Sequence, residues 1–261
     1  MTDCRFLFLG TGGSMGIPVI GCDCPVCSSS SHFNKRWRPS AMITKGNQKI
    51  VLDCGPDFRL QALHYKIDTL DGVIFTHAHH DHTAGIDDLR IYTLRSGKPM
   101  PCLLSQETLK DLQERYGYIF NENYEGMKLT TNLQTTITPG NEGDINFLGW
   151  DIHYVTYVQG GMRVNGLRFG DLAFLTDIRE YDSSIFDSLR NLKTLVISAL
   201  RYTPSHLHFS VDEAVEFAQK VGAEQTWLTH IAHDLDHEET NAYLPANIRL
   251  GYDGLEFGFK G

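Results

Sequence analysis

No apolar run in this 261-residue chain is long enough to cross a bilayer. The longest, such as Phe6-Leu7-Phe8-Leu9, fall far short of the roughly 20 residues that a spanning helix needs. Positive charge is scarce too, with 23 Lys and Arg against 32 Asp and Glu and a net charge of −9. That balance is poor for gripping a polyanion through many phosphate contacts, which disfavours a nucleic-acid partner. A small phosphorylated substrate stays open, because a local cation cluster or a metal can override the global field. Nine prolines and 24 glycines in a chain that is 41% hydrophobic exclude collagen-like, low-complexity and disordered classes. Asp3 and Arg5 sit near the start with no apolar leader behind them, so a cytoplasmic protein without a membrane partner is expected. Linkers and repeats are missing as well. Residues 1–261 are read as one domain with a substantial core.

Cysteine is sparse but clustered. Three of the six stand together as Cys22-x-Cys24-x-x-Cys27, while Cys4, Cys54 and Cys102 are scattered. Three thiols so close cannot all pair with one another, and in a reducing compartment the cluster reads as a metal site. A reactive or merely buried thiol group is the plainer alternative. The loop that carries them, about 21–40, is polar and locally basic from residue 28 onward. Its Lys35, Arg36 and Arg38 are candidates for receiving an anionic substrate, or simply face solvent. The preceding Gly10-Thr-Gly12-Gly13-Ser-Met-Gly16 invites a dinucleotide-loop reading and fails it. Met15 stands where the third glycine belongs, and Pro18 and the cysteines replace the required helix.

Apolar patterning predicts strands over 5–10, 41–44, 49–53, 71–76, 151–158, 167–169, 172–176, 194–198, 226–229, 248–250 and 255–259. Helices are predicted over 83–94, 106–116 and 211–221, the last with Ser210 as N-cap and Glu213 as its capping-box partner. Residues 121–146 are turn-rich. This order suggests two sheets packed face to face with helices outside.

Between the strand over 71–76 and the next helix stands Thr76-His77-Ala78-His79-His80-Asp81-His82. In an extended segment alternate residues share a face, so His77 and His79 point together while His80 points away. Asp81 and His82 fall in the turn into the helix and can swing toward a neighbouring point. The spacing therefore offers ligands for two adjacent cations, and imidazole with carboxylate suits zinc, manganese or iron. A polar loop with surface histidines is the bland alternative.

This pattern resembles the signature His-x-His-x-Asp-His of the metallo-β-lactamase superfamily, matched by His77, His79, Asp81 and His82. The resemblance implies a four-layer αββα sandwich, with Asp177 bridging two metals and His230 as a late ligand. The cysteine loop is similar to that of the PhnP-type branch, cyclic phosphodiesterases in which three cysteines and a late histidine hold a structural zinc. Here the matching histidine is His233, and Cys22, Cys24, Cys27 and His233 make a sensible tetrahedral set. The stretches 53–59, 85–90 and 252–255 match as well.

Two departures from that family stand out. A strand histidine is replaced by Gln159, so the metal held by His77, His79 and Asp177 is expected to bind more weakly than the one held by Asp81, His82, Asp177 and His230. His153 is six residues away, roughly 20 Å along a strand, and cannot substitute. Arg201 stands near the place of the family's catalytic histidine; it cannot shuttle a proton but can clamp a phosphate. His208, just before the N-cap Ser210, is the candidate proton donor, with a helix-entry hydrogen bond as the plain alternative. His206 either supports a metal ligand from behind or faces solvent. The expected function is metal-dependent hydrolysis of a small or cyclic phosphodiester by metal-activated water, with Asp81 orienting the nucleophile. One or two divalent metals (Zn, Mn or Fe) and one structural zinc are the implied cofactors. The alternatives are a PqqB-like redox protein of cofactor biosynthesis, a tRNA 3′-processing endonuclease, and a non-catalytic zinc-stabilised protein. A homodimer is left open.

Overall fold

The computed structural model describes residues 4–120 and 129–261. The turn-rich reading of 121–146 therefore lies outside the described residues at 121–128. The first sheet takes β1 (Cys4–Gly10), β2 (Ser40–Lys45), β3 (Gln48–Leu52), β4 (Gly72–Ile74), β5 (Met100–Ser105) and β6 (Leu133–Thr138) in sequence order. The second takes β7 (Glu142–Phe147), β8 (Trp150–Gln159), β9 (Met162–Phe169), β10 (Leu172–Leu175), β11 (Thr194–Ser198), β12 (Gln225–Thr229) and β13 (Ile248–Leu250). The last strand, β14 (Glu256–Phe259), returns to the first sheet and pairs antiparallel with β1. Each sheet is half antiparallel and half parallel. Strands β3 to β6 run parallel in the first, and β10 to β13 in the second.

Alternation along the strands builds three apolar layers. Phe6, Phe8, Ile43, Ile50 and Leu52 face Tyr154, Leu167, Phe169, Phe174 and Val196 between the sheets. Their strand neighbours point the other way: Leu9, Val51, Val73 and Leu104 pack under helices on one outside. Leu195, Ile197 and Leu228 pack under Val211, Ala214 and Phe217 on the other. The result is the expected αββα sandwich. A period of two lets one strand serve both an inner and an outer layer. Each large side chain withdrawn from water in these layers contributes about 1.5–3 kcal/mol.

The helix expected over 83–94 is broken. It becomes His80–Thr83, a 3₁₀ turn at Ile86–Leu89, and Arg90–Ser96. Gly85 explains the interruption: a Cβ there would lie 2.3 Å from Gly55 O and 3.0 Å from Cys54 Sγ. The chain is pressed against the loop after β3, and Gly85 N donates to Cys54 O at 2.8 Å. By contrast, the helix Val211–Val221 has its capping box at Ser210 and Glu213, as its sequence implies. No helix among the described residues is long and apolar enough to cross a membrane.

Candidate metal centre

The parallel strands of both sheets end at one edge, and the site is built there. Asp53 follows β3, Thr76 and His77 follow β4, Asp177 follows β10, and His230 follows β12. Asp53, Asp177 and His230 are in the left-handed region, at φ 60°, 53° and 59°. Side chains adopt that conformation only where the surroundings enforce it, and such positions gather at functional sites. Gly55 lets the loops meet: a Cβ there would lie 2.0 Å from Asp81 O.

The six expected ligands converge. His77 Nε2 lies 2.9 Å from His79 Nδ1, which puts both nitrogens on one point, while His80 is exposed. His82 Nε2 lies 3.0 Å from Asp177 Oδ2 and 3.6 Å from Asp81 Oδ2. His230 Nε2 lies 3.3 Å from both Asp81 Oδ2 and Asp177 Oδ1. Burial favours a neutral His82, but Asp81, Asp177 and Asp53 around it outweigh this and push its pKa up. Burial likewise opposes charge on Asp177 and Asp81, yet His230 and His82 hold both carboxyls below the usual range. His82 Nε2 is buried and meets no hydrogen-bonding geometry, which suits a lone pair aimed at a metal. The donor set fits divalent cations.

Asp53 is a site residue that the spacing of the histidines does not signal. Its Oδ2 accepts from His82 Nδ1 at 2.7 Å and from Thr76 Oγ1 at 2.8 Å, while Oδ1 takes Thr76 N at 2.8 Å. Thr76 Oγ1 in turn lies 2.9 Å from His77 Nδ1. One carboxylate therefore orients two imidazoles from behind. Its position right after a buried strand was the available clue. Asp53→Asn, which tolerates the left-handed backbone, is expected to weaken metal binding about 10–100-fold in a chelator competition.

Other expected residues divide. Gln159 is buried inside the site, with Nε2 3.4 Å from Asp177 Oδ1. His208 is there too, its Nδ1 3.2 Å from Asp177 Oδ1. His206 and Arg201 are exposed, Arg201 on a short bridge to Ser210. Arg36 does not receive a substrate. It is buried, and Nη1 donates to Thr11 Oγ1 at 2.7 Å and Gly251 O at 2.6 Å, while Nη2 faces His237 Nδ1 at 3.1 Å. These partners lie far off in sequence and tie the loop to the sandwich.

Away from this centre, Cys22, Cys24, Cys27 and His233 come together. Their sulfurs lie 3.4, 3.4 and 3.6 Å from His233 Nδ1. Zinc bonds of about 2.3 Å to sulfur and 2.0–2.1 Å to nitrogen put tetrahedral neighbours about 3.6 Å apart, so the quartet fits zinc. Backbone N–H groups of Cys27 and Val19 point at Cys24 Sγ and Cys27 Sγ, at 3.4 and 3.3 Å. The Cys27 N–H and His233 lower the Cys24 thiol to about 6, favouring the thiolate that metals bind.

Beside His79 lies a cleft of about 550 Å³ whose walls include Lys110, Asp111, Gly160 and Arg163. That is small-molecule size.

A family model described as a β-lactamase superfamily domain matches residues 48–231. A crystal structure of a diphosphatase from the PhnP family is 37% identical with a TM-score of 0.91, covering 98% of this chain and 97% of that one. An octanoyltransferase of Porphyromonas gingivalis is 34% identical over 97% of this chain and 51% of its own length, so the chain spans about half of that relative. Zn²⁺-bound PqqB from Methylobacterium extorquens shares the fold alone, at 15% identity and a TM-score of 0.76, with 97% and 99% covered.

Proposed function

Since the chain belongs to the metallo-β-lactamase superfamily, on its PhnP-like branch, we propose that it is a hydrolase that cleaves a small phosphodiester. The observation that carries this reading is the convergence of His77, His79, Asp81, His82, Asp177 and His230 on one edge, next to a small-molecule cleft. Bound by those residues, divalent cations supply an activated water and neutralise charge on the phosphate oxygens. Asp81, held between His82 and His230, orients the attacking water through its carboxylate. Lys110 in the cleft wall offers positive charge to the ester, while Arg163 beside it is paired with Glu107 at 3.3 Å.

The size of the cleft and the net charge of −9 favour a small ester over a folded RNA. Cleavage of a diphosphate is the second reading, favoured by the name of the 37% identical relative. Octanoyl transfer is named only for a relative of which this chain spans 51%. Turnover of bis(p-nitrophenyl) phosphate and of an organic diphosphate, each with added Mn²⁺ or Zn²⁺, is the test. Metal-dependent cleavage of the diester is expected. Protein that carries its metals and cleaves neither compound overturns both readings.

A further inference from the structure

We propose that Thr11, a fully buried residue in the turn after β1, is a positioning residue for the metal ligand His230. The inference rests on His230 binding a cation and holds whichever ester is cleaved. The glycine-rich turn, the buried Arg36 and the stretch 252–255 meet at this residue. Thr11 Oγ1 donates to Asp253 Oδ1 at 2.6 Å and accepts from Arg36 Nη1 at 2.7 Å. Thr11 N donates to the same Asp253 oxygen at 2.8 Å, and Trp37 N donates to Oδ2 at 2.7 Å. The hydroxyl therefore sits between a carboxylate and a guanidinium, which fixes its direction. Bonds of this charge-assisted kind are roughly twice as strong as neutral ones.

From Thr11 the contacts run straight to the site. Thr11 O accepts from Ile231 N and Gly13 N donates to Ile231 O, both at 2.9 Å. The turn thus grips the residue after His230 on both sides, and Gly12 N, donating to Trp37 O at 2.8 Å, anchors its middle. Gly13 also lies against the imidazole: a Cβ there would sit 3.4 Å from His230 Nδ1 and 3.0 Å from Leu200 Cδ1. His230 depends on this grip more than its neighbours do. His82 is held from behind by Asp53 and His77 by Thr76. His230 Nδ1 is buried and meets no such partner among the described residues. Its backbone is left-handed at φ 59°, a conformation that the surroundings must enforce. Backbone and packing, rather than a hydrogen bond to the ring, therefore aim Nε2 at the point 3.3 Å from Asp81 and Asp177. A ligand constellation works only when its supporting groups hold it within about 0.5 Å.

Metal binding by the stripped full chain tests this, read by competition with a chromophoric chelator and by the ligand-field spectrum after Co²⁺ loading. Thr11→Val keeps the shape and loses both bonds of the hydroxyl. It is expected to weaken one cation of the His/Asp centre about 10-fold and to change the Co²⁺ spectrum. Thr11→Ser, which restores the hydroxyl, is expected to bind as wild type. Asp253→Asn leaves Thr11 in place and removes the charge that faces it; the same loss is expected, so the test stands even if the valine variant does not fold. His230→Ala sets the scale by removing the ligand itself. The thiolate–cobalt band of the Cys22/Cys24/Cys27 site is expected to stay constant throughout. Wild-type affinity and spectrum in Thr11→Val and Asp253→Asn, with only a lower melting temperature of the metal-free protein, would make the turn purely structural and overturn the proposal. Wild-type binding by His230→Ala would overturn the ligand assignment and the proposal with it. None of these readings depends on turnover, so failure of the phosphodiester assay leaves them intact.

Discussion

Asp177→Asn is expected to lower metal-dependent turnover at least about 10³-fold, equivalent to about 4 kcal/mol of barrier, without unfolding the chain. Asp177 is where the site's parts meet: His82, His208 and His230 all lie 3.0–3.3 Å from its oxygens. Thr176 Oγ1 donates to Oδ2 at 2.7 Å, and Tyr157 OH donates to Thr176 O at 2.6 Å, so the carboxylate is held from behind. Asparagine keeps the shape and accepts the left-handed backbone at φ 53°, which alanine would resist. It removes the negative charge that buried imidazoles and a cation require. Metal content, turnover and circular dichroism of the variant check this together. Retained metal and retained turnover would show that the centre is organised around another residue.

Cys24→Ser is expected to remove about one zinc per chain and to lower the melting temperature by roughly 10 °C or more. Cys24 touches the rest of its quartet twice, as a ligand 3.4 Å from His233 Nδ1 and as the side-chain cap accepting from Cys27 N. Serine preserves the cap and loses the thiolate, so the effect reports metal rather than helix capping. Losing a metal that binds only the folded state subtracts its binding energy from stability. In a chain of this size about 4 kcal/mol corresponds to roughly 10 °C. Metal analysis with a thermal melt measures it, and an unchanged melt with all zinc retained would assign the quartet no structural weight.

The sequence announces the metal centre only where chemistry and local order coincide. His77, His79, Asp81 and His82 are legible because they are packed into six residues after a buried strand, a short-range pattern. Asp177 and His230 become legible only with a family likeness, since each is a single residue at a strand end. Arg36 shows the limit. Its basic neighbours suggest a surface, yet its guanidinium is enclosed by Thr11, Gly251 and His237, which only the folded chain brings near. Asp53 opens a stretch that matches the family, but its role comes from touching His82 across the sheet edge, 29 residues away, which local order does not reveal. The helix over 83–94 fails locally because periodicity cannot sense that Gly55 and Cys54 press on Gly85. Strands β5 to β7 carry too little alternation to be read, and pairing with neighbours makes them.

The cysteine quartet also sets a clock during synthesis. His233 leaves the ribosome 206 residues after Cys27, which at about 5–20 residues per second is roughly 10–40 s. For that interval the nascent chain displays three thiols with no fourth ligand, open to oxidation or to capture of a metal in an incomplete shell. A metal held by all four ligands would therefore be a clasp on a nearly finished chain instead of a nucleus for its folding.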